Sequence, residues 1–445
     1  MKTFKMGGIH PEECKFSAGK KTEVISLPKQ VVIPLRHYSG KPSIPEVAKG
    51  DMVKVGQLIG RADGFVSANV HSSVSGKVVK IDNALDAFGY KNPAVFIDVI
   101  GDDWLETIDL TPKVKRTCDL ESSEIIKKIA ESGIVGLGGA TFPTHVKLSV
   151  PAGKKAEVLI INGAECEPYL TCDHQLMLEK GEEIVIGITI LMKAIQVKRA
   201  LVGIEANKPD AILNIEKWAK TVEGVEVIPL KVKYPQGSEK QLIQALTGRE
   251  VPSGGLPIDV GAIVQNVATT FAVYEAVQKN KPLIERVITV TGKSVPEPGN
   301  YWVRVGTPLS HVVEKTGGIP EDTGKIVAGG PMMGRALPNL EISVAKGTAA
   351  VLFIPSSESE RGKVQNCIRC AKCVFHCPMG LEPYLLMNRS EKNLLDELEQ
   401  NRVMDCIECG SCSYVCPSNR PLVDYIRYGK LKVGELIRSR KVQQL

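Results

Sequence analysis

The sequence predicts a multidomain α/β protein of four modules: a small N-terminal β module, a central α/β domain, a second short-stranded β module and a helical C-terminal domain. Three observations predict it. Strand-like and helical runs alternate through the middle of the chain, short strands with glycine turns flank that middle on both sides, and eight of the twelve cysteines crowd between Cys367 and Cys416. At 445 residues there is room for about three domains of roughly 150 residues each. An apolar share of 43% excludes a disordered or fibrous chain.

In residues 1–115, Val47–Ile59 and Val70–Val78 alternate apolar and polar positions around glycine turns, as short strands do. This reads as a small all-β sandwich similar to lipoyl and biotinyl carrier domains. A carrier needs a lysine on the connecting hairpin, and Ala62–Ser67 has none, so a packing or docking module is expected. His71 reads as an ordinary polar strand residue.

The central domain is expected over residues 116–284. Glu157–Asn162, Ala200–Ile204, Val225–Leu230 and Ala262–Gln265 read as strands, with helices over Asp173–Val197, Pro209–Lys220 and Ser238–Leu246. That alternation argues for a largely parallel sheet. The best apolar run, Ile184–Met192, stops at Lys193, far short of the roughly 20 residues that span a bilayer. The first residues lack the apolar stretch of a secretory signal, which points to a reducing cytoplasm where cysteines serve metals rather than disulfides.

Two segments of this domain look chemical. Gly133 to Lys147 is a glycine-rich turn that includes Gly136, Gly138, Gly139, Phe142 and Lys147. Glycines let backbone amides approach a phosphate or flavin ring, and a lysine can bond an oxygen of either. It is neither a G-x-G-x-x-G turn after a strand nor a Walker loop. The strand ending at Asn162 then delivers Gly163-Ala164-Glu165-Cys166-Glu167-Pro168. Two carboxylates at i and i+2 repel unless they face ribose hydroxyls or amide donors; a solvated acidic turn is the alternative.

At the C-terminus, Cys367, Cys370, Cys373 and Cys377-Pro378 repeat as Cys406, Cys409, Cys412 and Cys416-Pro417. Both match the C-x2-C-x2-C-x3-C-P run of two-cluster ferredoxins, in which the fourth cysteine ligates the other cluster. One [4Fe-4S] cluster thus takes Cys367, Cys370, Cys373 and Cys416, the other Cys406, Cys409, Cys412 and Cys377. Zinc, which favours paired C-x2-C knuckles, fits poorly. The intervening residues lack strand alternation and read as helix, and Pro355–Glu360 reads as a linker. Cys14, Cys118, Cys166 and Cys172 fall in no motif; for Cys166 a redox-sensitive contact and a small buried filler both stay open.

Together, G-x-G-G-A-x-F-P-T-x-x-K, the E-x-E-P loop and the doubled cysteine run resemble the flavin-bearing, NADH-oxidising subunit of respiratory complex I and, more closely, the C subunits of Rnf ferredoxin:NAD oxidoreductases. The resemblance implies an N-terminal barrel-sandwich, a Rossmann-like flavin/NADH domain, a β-grasp module over 285–352 and a helical two-cluster ferredoxin domain over 353–445. Its cofactors would be noncovalent FMN, NAD(H) and two [4Fe-4S] clusters. Gly136, Gly138, Gly139, Lys147 and Asn162 would cradle FMN, and Phe142 would stack on the adenine. Glu165 and Glu167 would contact ribose and nicotinamide. Gly237 and Glu239 keep part of a Y-x-x-G-E-E segment, and Asn266 and Thr269 would hold the FMN phosphate where a helix begins. Without the resemblance, these last two also read as a plain N-cap. Ala164 departs from an Asp of complex I.

The implied activity is hydride exchange with NAD(H) and one-electron transfer through the clusters, in a membrane-bound, ion-translocating complex. Its partners would be the membrane subunits and a ferredoxin-type carrier, and its place the cytoplasmic face of the membrane. A microcompartment cobalamin reductase shares the plan, and a non-catalytic electron-relay scaffold is a further alternative. A net charge of +6 is too mild for bulk nucleic-acid binding, and residues 418–445 hold seven basic against two acidic residues, +5 of that total. This basic tail suggests docking to an acidic partner or an anionic membrane.

Overall fold

The computed structural model describes residues 1–87 and 89–443, with side chains described through Arg440. The central sheet is fully parallel, in the spatial order Val225–Leu230, Ala200–Glu205, Val158–Gly163, Ala262–Asn266. Its strands are apolar on both faces because both faces are covered. Helix Glu239–Thr247 packs Leu242, Ile243 and Leu246 on one face. Helices Gly181–Ala194, Pro209–Ala219 and Val267–Lys279 cover the other. The expected single helix Asp173–Val197 is instead two, Cys172–Glu179 and Gly181–Ala194, because Lys180 leaves helical geometry at φ −126°, ψ 29°.

The N-terminal module pairs Gln30–Pro34, Lys91–Gly101, Ser75–Leu85 and Met52–Val53 in one antiparallel sheet and Ile44–Pro45, Leu58–Arg61 and Val70–His71 in a second. His71 is buried on its strand, and burial pushes its imidazole down to about 3. The lysine-free hairpin reaches the central domain, where the Phe65 ring meets His145 edge-on and the Phe65 carbonyl lies 3.0 Å from His145 Nε2. Residues 1–24 do not share these sheets. Lys2 bridges Leu230, Ile9 bridges Tyr234, and Glu23–Val24 extend the next module beside Tyr301–Trp302. Sequence patterning assigned this strap to the first module because it has no apolar rhythm of its own.

That next module is a six-stranded mixed sheet with helix Leu309–Lys315 against it. Its strand Ala350–Pro355 runs directly into the short helix Ser356–Ser359, so the expected linker is partly structured. The C-terminal domain packs Pro383–Glu391 and Leu395–Gln400 against the long helix Leu422–Gln443. No helix among the described residues is long and apolar enough to cross a membrane.

Candidate functional site

The chain order of the central sheet reverses between Val158–Gly163 and Ala262–Asn266, and in open α/β sheets ligands bind at such a switch point, beyond the carboxyl ends of the strands. Asn162 and Asn266 are register partners there. Asn162 Nδ2 donates to the Gly237 carbonyl at 2.7 Å. Asn266 Oδ1 accepts from the amides of Ala268 and Thr269, capping the helix Val267–Lys279, while its Nδ2 donates to Asp173 at 2.6 Å. The glycine turn closes over this helix start. Gly136 N donates to the Phe142 carbonyl at 2.9 Å, and Leu137 N donates to Thr269 Oγ1 at 2.8 Å. Thr269 is thus a buried support for the turn.

Gly138, Gly139 and Ala140 are exposed, and their amides donate to no group among the described residues. A Cβ on Gly138 would sit 2.7 Å from Asn266 Nδ2, whereas one on Gly139 would meet nothing within 4 Å. Open amides beside a helix N-terminus form a cradle that suits an anionic, flat cofactor. Lys147 stands at its edge, donating to Glu239 at 2.7 Å and to the Val264 carbonyl at 3.0 Å. Phe142 is half-buried in the same turn.

The acidic loop meets amide donors. Glu165 accepts from the amides of Asp173 and His174 at 2.7 and 3.2 Å, and Glu167 from those of Met332 and Met333 at 2.7 and 2.9 Å. Desolvation pushes the Glu167 carboxyl up, and desolvation with the Glu165 charge does the same to Asp173. Two lysines absent from the sequence expectations brace the loop. Lys15 Nζ donates to the carbonyls of Glu165, Glu167 and Leu170, and Lys208 Nζ to that of Ala164 while facing Glu205 at 3.5 Å. Lys208 and Glu205 side chains are each 2% exposed. No local pattern announces Lys15, which reaches its partners across some 150 residues.

Seven of the eight C-terminal thiols fall into two groups. Cys377 lies among Cys406, Cys409 and Cys412, and these four line one cavity. Cys373 instead neighbours Cys416 and Cys367. Both copies bend alike: Arg369 and Ala371 flank Cys370, and Glu408 and Gly410 flank Cys409, all four at φ between 56° and 77°. Among the described residues, only Glu165, Cys172 and Asp173 bring three such ligand atoms within 4.8 Å. The motif sulfurs are spaced more widely than one zinc ion needs, with Zn–S of about 2.3 Å. All-thiolate sets of this spacing suit iron–sulfur clusters, and the amides of Leu381 and Glu408, 3.4 Å from Cys377 and Cys406 sulfurs, supply the hydrogen bonds that tune them.

Comparison with known proteins agrees with this layout. Residues 2–102 match the RnfC barrel sandwich hybrid domain, 129–275 the Nuo51 FMN-binding domain, 287–336 the SLBB domain and 361–417 the 4Fe-4S dicluster domain. Over 97% of its length the chain is 49% identical to the C subunit of the proton-translocating ferredoxin:NAD(+) oxidoreductase complex of Clostridium ljungdahlii, spanning 94% of that protein. It is 44% identical over 97% of its length to the Na(+)-translocating counterpart of Acetobacterium woodii, spanning 97% of it. To the C subunit of the ion-translocating oxidoreductase complex of Rhodobacter capsulatus it is 41% identical over 98%, spanning 84%. The chain belongs to this family of C subunits.

In this family member the loop 234–237 is one of several links between the flavin-binding domain and the dicluster domain, beside Gln241 Nε2 donating to the Pro378 carbonyl at 3.0 Å and Gly254 N to Asp405 at 3.2 Å. Gly237 receives Asn162 through its carbonyl and donates its amide to Cys166 Sγ at 3.3 Å, while Tyr234, three residues earlier, donates its hydroxyl to the Cys409 carbonyl at 2.9 Å. Cys166 packs beside Cys409, Ile9 and Tyr234, and desolvation pushes its thiol up to about 12, which suits a packing role. The Tyr234→Phe protein leaves the buried Cys409 carbonyl unpartnered, at about 1–3 kcal/mol. Lower thermal stability and faster amide exchange across 405–412 are expected, with flavin content unchanged.

The basic tail changes meaning in this structure. Arg427 and Lys430 pair with Glu408, Lys432 with Glu435, and Arg440 with Asp396 and Glu399. Lys441 lies outside the described side chains. Most of the tail charge is neutralised within its own domain.

Proposed function

We propose that this chain exchanges hydride between NAD(H) and FMN and passes electrons singly through two [4Fe-4S] clusters, as the C subunit of an ion-translocating ferredoxin:NAD oxidoreductase. The observation that carries this reading is the loop 234–237, which bonds both to the strand end bearing Asn162 and to the carbonyl of Cys409. FMN, when bound, supplies the step between a two-electron hydride donor and one-electron carriers. The protein's part is to hold and orient. The Gly138–Ala140 amides, Asn162, Asn266 and Lys147 would hold the flavin, with Gly136 and Thr269 keeping the turn closed and Glu239 keeping Lys147 in place. Phe142 would line the nucleotide side. Glu165 and Glu167, engaged with backbone amides, would shape that side, and Gly237 would position Asn162.

Crossed ligation would give an inner cluster on Cys377, Cys406, Cys409 and Cys412 and an outer one on Cys367, Cys370, Cys373 and Cys416. The boundaries 1–115, 116–284, 285–352 and 353–445 approximate these modules, except that the strand Ala350–Pro355 carries the third module on to Pro355 and residues 1–24 serve as a strap across three of them. A peripheral position on the cytoplasmic face, beside membrane subunits and a ferredoxin-type carrier, follows from the same reading. Anaerobic purification with flavin and iron analysis, then NADH titration followed by EPR, tests it; protein without flavin or without NADH-reducible clusters would sink it. Lys147→Ala should weaken flavin retention about tenfold, the loss of one charged hydrogen bond, and leave iron unchanged. Unaltered flavin stoichiometry under dilution would remove Lys147 from the site.

A further inference from the structure

We propose that the exposed segment Arg361–Cys370, with Lys372, Phe375 and Tyr414, is the docking surface for the acidic face of a one-electron carrier protein. The inference rests on the electron-transfer reading above and specifies where electrons leave or enter. The two thiol groups differ in access. Cys377, Cys409 and Cys412 are buried, whereas Cys367 and Cys370 are exposed and every residue from 361 to 370 is exposed with them. Apolar side chains stand open next to the motif cysteines: Ile368 is 67% exposed, and Phe375 and Tyr414, on two short helices that touch each other, are 74% and 55% exposed. Apolar side chains set in a charged rim are the composition of a transient interface.

Charge names the partner. From Arg361 to His376 there are four Arg and Lys residues and no Asp or Glu. Arg361 is held by Asp424, but Lys363, Arg369 and Lys372 pair with no carboxylate among the described residues. The tail helix, by contrast, has most of its cations matched internally. An unpaired basic rim around the outer thiols attracts an acidic surface and speeds encounter. In each docking event one electron passes between the outer cluster and the carrier's redox centre, so one is oxidised as the other is reduced; no bond is made or broken.

The test uses the anaerobically purified holo-protein with a small acidic 2[4Fe-4S] ferredoxin as probe, and the variants Lys363→Glu and Lys363→Glu/Arg369→Glu/Lys372→Glu. Iron and flavin content and NADH–ferricyanide activity should stay unchanged. The KM for ferredoxin at low salt should rise about tenfold in the triple variant, with its salt dependence flattened. An unchanged KM and salt response overturns the docking surface, as does a loss of sedimentation with phosphatidylglycerol vesicles while ferredoxin kinetics hold, which makes the patch a membrane face. Should the triple variant lose iron, the single Lys363→Glu change, four residues before the first thiol, carries the same comparison. Absence of NADH–ferricyanide activity in the unaltered protein would instead overturn the hydride reading itself.

Discussion

The Cys377→Ser protein is expected to keep about four of its eight irons, and Cys377→Ser/Cys412→Ser to keep as many as either single change. Cys377 belongs by sequence to the first cysteine run, yet it lies among Cys406, Cys409 and Cys412. If each run held its own cluster, the double substitution would strip both and iron would fall close to zero. Under crossed ligation both changes strike one cluster and the second costs nothing more. The cluster lost is the one bonded to the flavin domain through Tyr234, so NADH should no longer reduce the remaining, outer cluster, while ferricyanide still accepts electrons at the flavin. Iron analysis and EPR of the NADH-treated proteins decide between the two ligation schemes.

The second large effect is expected at Gly138. An alanine Cβ there would lie 2.7 Å from Asn266 Nδ2 and 2.9 Å from its Cγ, closer than packed atoms approach, so Asn266 must move. Its Oδ1 caps the helix Val267–Lys279 and its Nδ2 satisfies Asp173. Loss of such a cap costs about 1 kcal/mol, and loss of the donor to the half-buried Asp173 about 1 kcal/mol more. Gly138→Ala should therefore lower the melting temperature and purify nearly free of flavin, with iron intact. Gly139→Ala separates the two causes. Its Cβ meets only open space, so the fold should keep its stability while the added methyl occupies the cradle and flavin binding falls. Full flavin in both proteins would place the cofactor elsewhere.

What the sequence revealed follows from how local each signal is. The cysteine runs are legible because sulfurs sharing a cluster need fixed short spacings, and the repeated left-handed residues around Cys370 and Cys409 show one backbone path written twice. The strand ends bearing Asn162 and Asn266 are legible because buried parallel strands are continuous apolar runs. The bracing of the acidic loop was not: Lys15 and Lys208 look like surface lysines until the fold sets them against carbonyls of 164–170. Nor was the break at Lys180, where an unbroken helical pattern gives way to packing. The basic tail misleads for the same reason, since Glu408, Asp396 and Glu399, which neutralise it, lie elsewhere in the sequence.

The strap formed by residues 1–24 bears on how the polypeptide is made. Gly8 donates its amide to the His376 carbonyl at 3.0 Å, and Gly7 fits against Cys377 where a Cβ would come within 2.5 Å of its backbone. Gly7 and Gly8 thus wait for partners synthesised some 370 positions later, and domains generally fold in the order they emerge. The strap around these two glycines is therefore the last segment to settle, after the first cysteine run has been translated. A side chain introduced at Gly7 would contend for the seat beside Cys377.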